Sequence, residues 1–309
     1  MLGVTPPWLV APLERLDAIY DRLPHGLLIQ GPGGWGEETV AAALVTRLLR
    51  LDPAQNPREV AHPDLRWVQP ESGVIKVDQM RATIEFLHQT PRFAGRKAAV
   101  IDAADCMNQN AANALLKSLE EPPDNSFAVL VTGAPERLLP TVCSRCQRVD
   151  VHPASDDVVM GWLAEAGVDR ERAQHLAIEY GSAPFTVRDA VERGEEPLMS
   201  ALVDAARQPA KALEVAERHR EASLADLTAR WLRIVHWAMR QGLENPGFSS
   251  EGQAPRAPRP KALLDFADEL QRLRAMAVAN TGLNRVMQLH RLFLLWAELW
   301  HDGCFPPRS

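Results

Sequence analysis

The chain contains little cysteine and no long hydrophobic run. Four cysteines in 309 residues (Cys106, Cys143, Cys146 and Cys304) are too few and too scattered for a disulfide framework. No apolar run approaches the roughly 18 residues that a membrane span requires. The N-terminus has no basic start followed by a long apolar core, so we expect no signal peptide. These absences predict a cytoplasmic protein that does not enter a membrane.

An excess of positive charge is also lacking. The formal net charge is -6, which argues against a protein that binds nucleic acid over its whole surface but leaves a local basic patch open. Apolar residues at 46% and charged residues at 24% are ordinary for a globular protein. A length of 309 residues suggests two or three domains, each large enough to bury its own core.

A glycine-rich loop is the most informative stretch near the N-terminus. Residues 31–39 are Gly-Pro-Gly-Gly-Trp-Gly-Glu-Glu-Thr, after a short apolar run at 27–29 and before an alanine-rich helical pattern at 39–49. Strand, glycine loop and helix in this order predict a phosphate-binding P-loop, whose pattern is G-x4-G-K-[ST]. The two required glycines are Gly31 and Gly36, with Gly33 and Gly34 between them.

Two glutamates replace the residues that give a P-loop its chemistry. Glu37 and Glu38 occupy the positions of lysine and of a hydroxyl residue, the groups that reach the terminal phosphates and hold Mg²⁺. The loop amides and the helix N-terminus still favour an anion, but two carboxylates direct negative charge at the place of a polyphosphate. We therefore predict a P-loop fold that no longer uses a nucleotide. The alternative is a plain glycine-rich turn, since acids suit the first turn of a helix.

Five short apolar runs predict a parallel sheet. They lie at 27–29, 65–68, 98–102, 127–131 and 147–151, with helical patterns between them, as in a doubly wound α/β domain. The third run ends in Asp102, and in P-loop proteins such an aspartate lies beside Mg²⁺. Alternatively, Asp102 only caps the loop that follows it.

From about residue 155 onward the pattern is helical only. A small helical unit precedes a third region that starts near residue 197, where Leu227, Trp231 and Ile234 form part of an apolar stripe. Residues 241–260 contain four prolines and three glycines, which predicts a flexible loop.

Two motifs make a resemblance to a known family specific. Asn113-Ala-Leu-Leu-Lys-Ser-Leu-Glu-Glu-Pro-Pro123 and Ser144-Arg145-Cys146 resemble the clamp-loader ATPases of the AAA+ family. Within that family, the chain resembles the delta-prime subunits of the bacterial DNA polymerase III clamp loader. Three features favour that type: the pair Glu37-Glu38, alanine after Asp102 where AAA+ ATPases usually carry glutamate, and the segment 281–285. The resemblance implies an AAA+ α/β domain with a five-stranded parallel sheet over 1–154, a small helical lid over 155–196 and an all-helical collar over 197–309.

The same resemblance assigns roles to individual residues. Arg145 would be an arginine finger that reaches across a subunit boundary to the γ-phosphate held by a neighbour, where a guanidinium neutralises transition-state charge. Ser144 and Cys146 would fix its loop. An ordinary surface ion pair is the alternative for Arg145. Thr132 falls at the family's sensor position, and we expect it to be a structural relic.

No metal site is expected. Cys143 and Cys146 have the spacing of metal ligands, but no second pair completes a zinc site, so two semi-buried cysteines are the better interpretation. By resemblance, delta-prime subunits often carry a four-cysteine zinc module before the second strand. Residues 50–64 contain no cysteine, so this module should be absent and the connection shortened.

The resemblance as a whole implies a non-hydrolysing subunit of the replicative clamp loader, without a cofactor of its own. Its partners would be the clamp-loader ATPase subunits and the clamp-opening delta subunit, in a hetero-oligomer that loads the sliding clamp onto primed DNA. Two rival hypotheses remain. One is an active clamp-loader ATPase that binds nucleotide through Gly33, Gly34 and the loop amides; the other is a stand-alone DNA-binding protein.

Overall fold

The computed structural model describes residues 5–93, 95–244, 260–279, 282 and 284–300. The chain divides into two compact units, Met1–Trp162 and Leu163–Ser309. The loop predicted at 241–260 and the motif at 281–285 lie largely outside the described residues. Within the described part, no helix is long and apolar enough to cross a membrane.

The first unit is built on five parallel strands. They are β1 (Gly26–Gln30), β2 (Leu65–Val68), β3 (Lys97–Ile101), β4 (Ser126–Thr132) and β5 (Gln147–Asp150). Their order in the sheet is β2-β3-β4-β1-β5, and every neighbouring pair is parallel. All residues of β3 and β4 are buried, as expected for strands covered by helices on both faces. The predicted five-stranded parallel sheet is confirmed.

Five helices accompany the strands of this sheet. They are α1 (Val10–Ile19), α2 (Glu37–Leu49), α3 (Val77–His88), α4 (Gln109–Glu120) and α5 (Pro140–Cys143). Helices α3 and α4 share a core with one face of the sheet, in which Met80 and Leu115 contact the cluster around Leu28. Helix α4 begins after Asn108, whose side chain accepts a hydrogen bond from the Ala111 amide at 2.8 Å.

The parallel arrangement separates the predicted site residues into two groups. Because the carboxyl ends of parallel strands meet at one edge of the sheet, the loop after β1, Asp102 after β3 and Thr132 at the end of β4 lie together. Arg145 precedes β5 and therefore lies at the opposite, amino edge. This separation determines which chemistry each group can serve.

The α-helices of the described residues that follow the sheet in the chain are eight in number. They are α6 (Asp156–Glu165), α7 (Arg170–Tyr180), α8 (Pro184–Glu192), α9 (Leu198–Arg207), α10 (Ala212–Arg218), α11 (Leu224–Glu244), α12 (Pro260–Val278) and α13 (Arg285–Leu299). In the second unit, the rings of Trp231, Phe266, Phe293 and Trp296 form an aromatic core. The predicted apolar stripe on α11 is buried in this core. The boundaries predicted at residues 154 and 196 stay predictions.

Candidate functional site

The glycine loop between β1 and α2 is tightly folded. Gly33, Gly34 and Gly36 have φ angles of 85°, 74° and 100°, a region that favours glycine. The Gly31 amide donates to the Thr132 carbonyl at 3.2 Å. A Cβ atom on Gly133 would lie 2.8 Å from the Gly33 Cα. The loop therefore packs backbone against backbone on the segment that follows β4.

The side chain of Glu37 lies inside this loop. Its Oε1 accepts a hydrogen bond from the Gly33 amide at 2.9 Å, and its Oε2 accepts one from the Trp35 amide at 3.0 Å. The residue is only 4% exposed. A Cβ atom on Gly31 would lie 2.3 Å from the same Oε1, so the carboxylate fills the space that glycine leaves. These are the backbone donors of the kind that hold phosphate oxygens in a P-loop.

The side chain of Glu38 is directed elsewhere, toward an arginine that the sequence did not suggest. Arg58 donates from Nη1 to Glu38 Oε2 and from Nη2 to Asp102 Oδ2, both at 2.6 Å. Asp102 also accepts from Trp67 Nε1 at 3.3 Å and from Gln69 Nε2 at 3.1 Å. The partners of Asp102 thus lie in β2 (Trp67), directly after β2 (Gln69) and in the connection from α2 to β2 (Arg58). The sequence left open that Asp102 only caps the loop that follows it.

The residues present do not fit a nucleotide with its magnesium ion. In a working P-loop, Mg²⁺ is held by the hydroxyl residue of the loop and by the acid that follows a neighbouring strand. Here Glu38 and Asp102 occupy those two positions, and the guanidinium of Arg58 lies between them. The Gly33 and Trp35 amides are already bonded to Glu37. A polyphosphate would have to displace both groups.

Thr132 connects two loops at the same edge of the sheet. Its hydroxyl donates to Asp105 Oδ1 at 2.8 Å and accepts from the Ala134 amide at 3.0 Å. The other carboxylate oxygen of Asp105, Oδ2, lies 3.5 Å from Nη1 of Arg137. The buried threonine thus ties the segment after β3 to the segment after β4.

The side chain of Trp8 contacts the glycine loop. Trp8 Nε1 donates to the Trp35 carbonyl at 2.8 Å. The Trp8 ring lies edge-on to Trp35 with centroids 5.8 Å apart, and edge-on to Trp162 with centroids 5.4 Å apart. Edge-on aromatic pairs contribute to stability beyond the apolar area that they bury. The loop is therefore held by Trp8 on its outer side and by the Glu37 carboxylate on its inner side.

Arg145 lies at the far edge, in the turn between α5 and β5. Its Nη1 donates to the Thr141 carbonyl at 2.9 Å, and its Nη2 contacts the carboxylate of Glu120 at the end of α4. Ser144 Oγ donates to the same carbonyl at 3.1 Å. The arginine side chain remains 34% exposed. An exposed pair of this kind contributes at most about 1 kcal/mol, so the guanidinium can exchange Glu120 for another anion.

The two cysteines that flank Arg145 differ in their surroundings. Cys146 is buried, and burial together with the nearby Cys143 raises the pKa of its thiol to about 12. Cys143 is half-buried, and both cysteines are free thiols. Among the described residues, no group of three or more histidine, cysteine or acidic side chains could hold a metal ion.

The packing around Arg145 depends on a glycine in β1. A Cβ atom on Gly26 would lie 3.0 Å from the Arg145 carbonyl oxygen, 3.1 Å from Leu119 Cδ2 and 3.3 Å from Cys146 Sγ. We expect Gly26→Val to lower the free energy of unfolding by about 1–3 kcal/mol, because the added methyl groups overpack this site. Denaturant unfolding measures the change.

Gly161→Ala is the matched control for this prediction. A Cβ atom at Gly161 would meet no heavy atom within 4 Å, and alanine is favoured over glycine in a helix by up to about 1 kcal/mol. Its stability should equal or exceed that of the wild type. Equal stability of Gly26→Val and the wild type would contradict the close packing of the Arg145 turn.

Comparisons of the sequence with known proteins find similar chains. A family model described as DNA polymerase III, delta subunit, matches residues 13–155. The DNA polymerase III subunit delta' of Pseudomonas aeruginosa is 30% identical over 324 residues, which cover 96% of this chain and 98% of the relative. The subunit delta' of Bacillus subtilis is 37% identical over 51% of each chain.

One similar solved structure is that of a DNA polymerase III gamma subunit-related protein from Thermotoga maritima. It covers 94% of this chain and 99% of its own, with a TM-score of 0.57 and 20% sequence identity. At this identity the likeness supports the fold alone, and it confirms the predicted AAA+ fold of clamp-loader type. The resemblance predicted from the sequence is confirmed as well. The chain belongs to the family of the delta-prime subunits of DNA polymerase III.

Proposed function

We propose that this chain is a non-hydrolysing subunit of a bacterial replicative clamp loader, a cytoplasmic hetero-oligomer. Arg145 supplies an arginine finger in trans to a neighbouring ATPase subunit. The chain also braces the clamp-opening delta subunit while the sliding clamp is loaded onto primed DNA. Its membership in the delta-prime family supports the role in a clamp loader.

The proposal that Arg145 acts on a neighbouring subunit rests on its position at the amino edge of the sheet, in the turn before β5. The Arg145 carbonyl lies next to Gly26, the first residue of β1, whereas the glycine loop follows Gln30, the last. Five residues of strand span about 16 Å at roughly 3.3 Å per residue. Arg145 therefore lies about the length of β1 away from the loop of its own chain, so a phosphate within reach of its side chain belongs to another subunit.

The carboxyl edge of the sheet supports the non-hydrolysing half of the proposal. Glu37 accepts hydrogen bonds from two loop amides. Arg58 forms ion pairs with the two acids that would otherwise bind a metal ion. Ala103 and Ala104 follow Asp102, so the position after Asp102 has no carboxylate to polarise an attacking water. At the two positions where a working P-loop ATPase carries its lysine and its catalytic glutamate, this chain has Glu37 and Ala103.

Reconstitution tests the proposal. This chain would be mixed with the clamp-loader ATPase subunit and the delta subunit of the same organism, and complex formation followed by size-exclusion chromatography. We expect a complex in which ATP hydrolysis, stimulated by clamp and primed DNA, requires this chain. The isolated chain should neither bind ATP stoichiometrically nor hydrolyse it.

Two results would overturn the proposal. Stoichiometric ATP binding and turnover by the isolated chain would favour an active ATPase. Tight DNA binding by the isolated chain with a steep salt dependence would favour a stand-alone DNA-binding protein.

A further inference from the structure

We propose that the P-loop of this chain carries its own ligand. The carboxylate of Glu37 takes the place of a phosphate, and the guanidinium of Arg58 takes the place of the metal ion. The loop is thereby held in a ligand-bound shape by residues of the same chain. This inference concerns the first unit alone and holds whether or not the chain assembles with partners.

The surroundings of Glu37 are those of a bound anion. The carboxylate is almost fully removed from water, and a buried charge is tolerated only when it is paired or hydrogen-bonded. Its two oxygens are bonded separately, by the amides of Gly33 and Trp35. Glu37 is also the first residue of α2, where the positive end of the helix dipole stabilises negative charge. Phosphate oxygens use the same two kinds of donor in a functional loop.

The surroundings of Arg58 are those of a bound cation. Its two terminal nitrogens bridge Glu38 and Asp102, one carboxylate from the loop helix and one from the end of β3. Without a cation between them, these two carboxylates would repel each other. The guanidinium also lies over the ring of Trp67, 5.5 Å from its centroid, which adds a cation–π contact. The guanidinium of Arg58 is thus contacted by Glu38, Asp102 and Trp67.

A ligand that is part of the chain cannot dissociate. Its local concentration is set by covalent connection and not by the ATP level of the cell. A ligand shifts a conformational equilibrium only through its different affinity for the two states, and here the filled state is favoured at all times. The loop should therefore keep one conformation through a cycle in which neighbouring subunits bind and release nucleotide.

Removal of the internal anion tests the proposal in the isolated chain. Glu37→Ala leaves the amides of Gly33 and Trp35 without an acceptor, and we expect its unfolding temperature in chloride buffer to fall by about 5 °C. Inorganic phosphate at matched ionic strength should restore about half of that loss, because a ligand that binds only the folded state stabilises it. The wild type should not respond to phosphate beyond the general effect of salt.

Two matched variants separate the anion site from nonspecific effects. Asp78→Ala removes an exposed carboxylate of α3 that lies outside the site, and Glu37→Gln fills the loop with a side chain of the same shape. Neither should acquire the phosphate response. A folded Glu37→Ala variant that responds to phosphate no more than the wild type would overturn the proposal.

Arg58→Ala tests whether Arg58 takes the place of a metal ion, and the measurement is again the unfolding temperature. This variant leaves Glu38 and Asp102 facing each other, and Mg²⁺ should raise its unfolding temperature more than that of the wild type. Arg81→Ala, which removes an exposed arginine of α3, is the control and should show no such gain. Equal Mg²⁺ responses of the two variants would contradict the assignment of Arg58.

A measurement on the wild type keeps the proposal testable if the variants do not fold. The amides of Gly33 and Trp35 should be protected from hydrogen exchange without nucleotide, and addition of ATP with Mg²⁺ should leave that protection unchanged. Rapid exchange at both amides in the free chain, or protection that appears only with ATP, would overturn it. Rapid exchange that ATP does not slow would count against this inference alone, whereas protection that appears only with ATP would also count against the proposed non-hydrolysing role.

Discussion

Replacement of Arg145 by alanine is expected to slow ATP hydrolysis about 10³-fold or more at the site that faces this chain, while the complex still assembles. Among the described residues, the guanidinium is held by Glu120 and by the Thr141 carbonyl, and one third of the Arg145 side chain is exposed. It can therefore leave a weak exposed pair for the developing charge on a phosphate, which is a far stronger partner. Rapid-quench measurements of hydrolysis, stimulated by clamp and primed DNA, would resolve this site from sites between other subunits.

Three further variants define the role of the guanidinium. Arg145→Lys keeps the positive charge but loses the planar fork that binds an anion with two nitrogens, so its rate should lie between those of the alanine variant and the wild type. Glu120→Ala releases Arg145 from its resting partner and should retain the wild-type rate. Arg81→Ala, a remote exposed arginine, should be indistinguishable from the wild type. Unchanged hydrolysis in Arg145→Ala would leave the family and the fold in place but reduce the chain to a structural brace.

Replacement of Asp64 by alanine is expected to lower the free energy of unfolding of the first unit by about 3–5 kcal/mol. Asp64 is fully buried, and its two oxygens accept hydrogen bonds from the amides of Arg92 and Phe93 at 2.7 and 2.8 Å. It lies 3.6 Å from the ammonium group of Lys97, whose side chain is only 1% exposed. The substitution would leave this buried ammonium without a counter-charge and two amides without an acceptor. Such a loss corresponds to a fall of about 10 °C in the unfolding temperature.

Chemical denaturation with matched variants checks this prediction. Asp78→Ala removes an aspartate that is 88% exposed and forms a surface pair with Arg81, and it should change the stability by less than about 0.5 kcal/mol. The double variant Asp64→Asn with Lys97→Met removes the unpaired charge and should recover part of the loss. Equal stabilities of Asp64→Ala and Asp78→Ala would show that the buried pair contributes nothing to the fold.

The fold could be predicted from the sequence because its elements follow hydrophobic periodicity. The strand at 65–68 and the helix at 77–88 have the predicted bounds, and the other strands differ from prediction by one residue at one or both ends. Arg145 was predicted as a site residue because it belongs to a three-residue motif beside a helix with a characteristic sequence, and its role stays a prediction. Local patterns of this kind are visible without any knowledge of tertiary contacts.

Arg58 could not be found in this way. It lies in a proline-broken connection without periodicity, and its importance comes only from two acids that are 20 and 44 residues distant. The sole signal in the sequence was indirect, namely that Glu38 and Asp102 at neighbouring positions of a P-loop fold require a cation. The buried pair of Asp64 and Lys97 was missed for a related reason, since charged residues are ordinarily predicted to be exposed.

The bridging position of Arg58 also bears on how such a chain evolves. Reversion of Glu38 to threonine would leave Arg58 with one carboxylate and no need for a metal ion. Reversion of Glu37 to lysine would place a donor among amides that already require an acceptor, with Arg58 still nearby as a second cation. The effect of each substitution therefore depends on the residues that remain around it, because contacting residues are coupled. On the proposed function, a nucleotide would gain an advantage only after several of these residues had changed together.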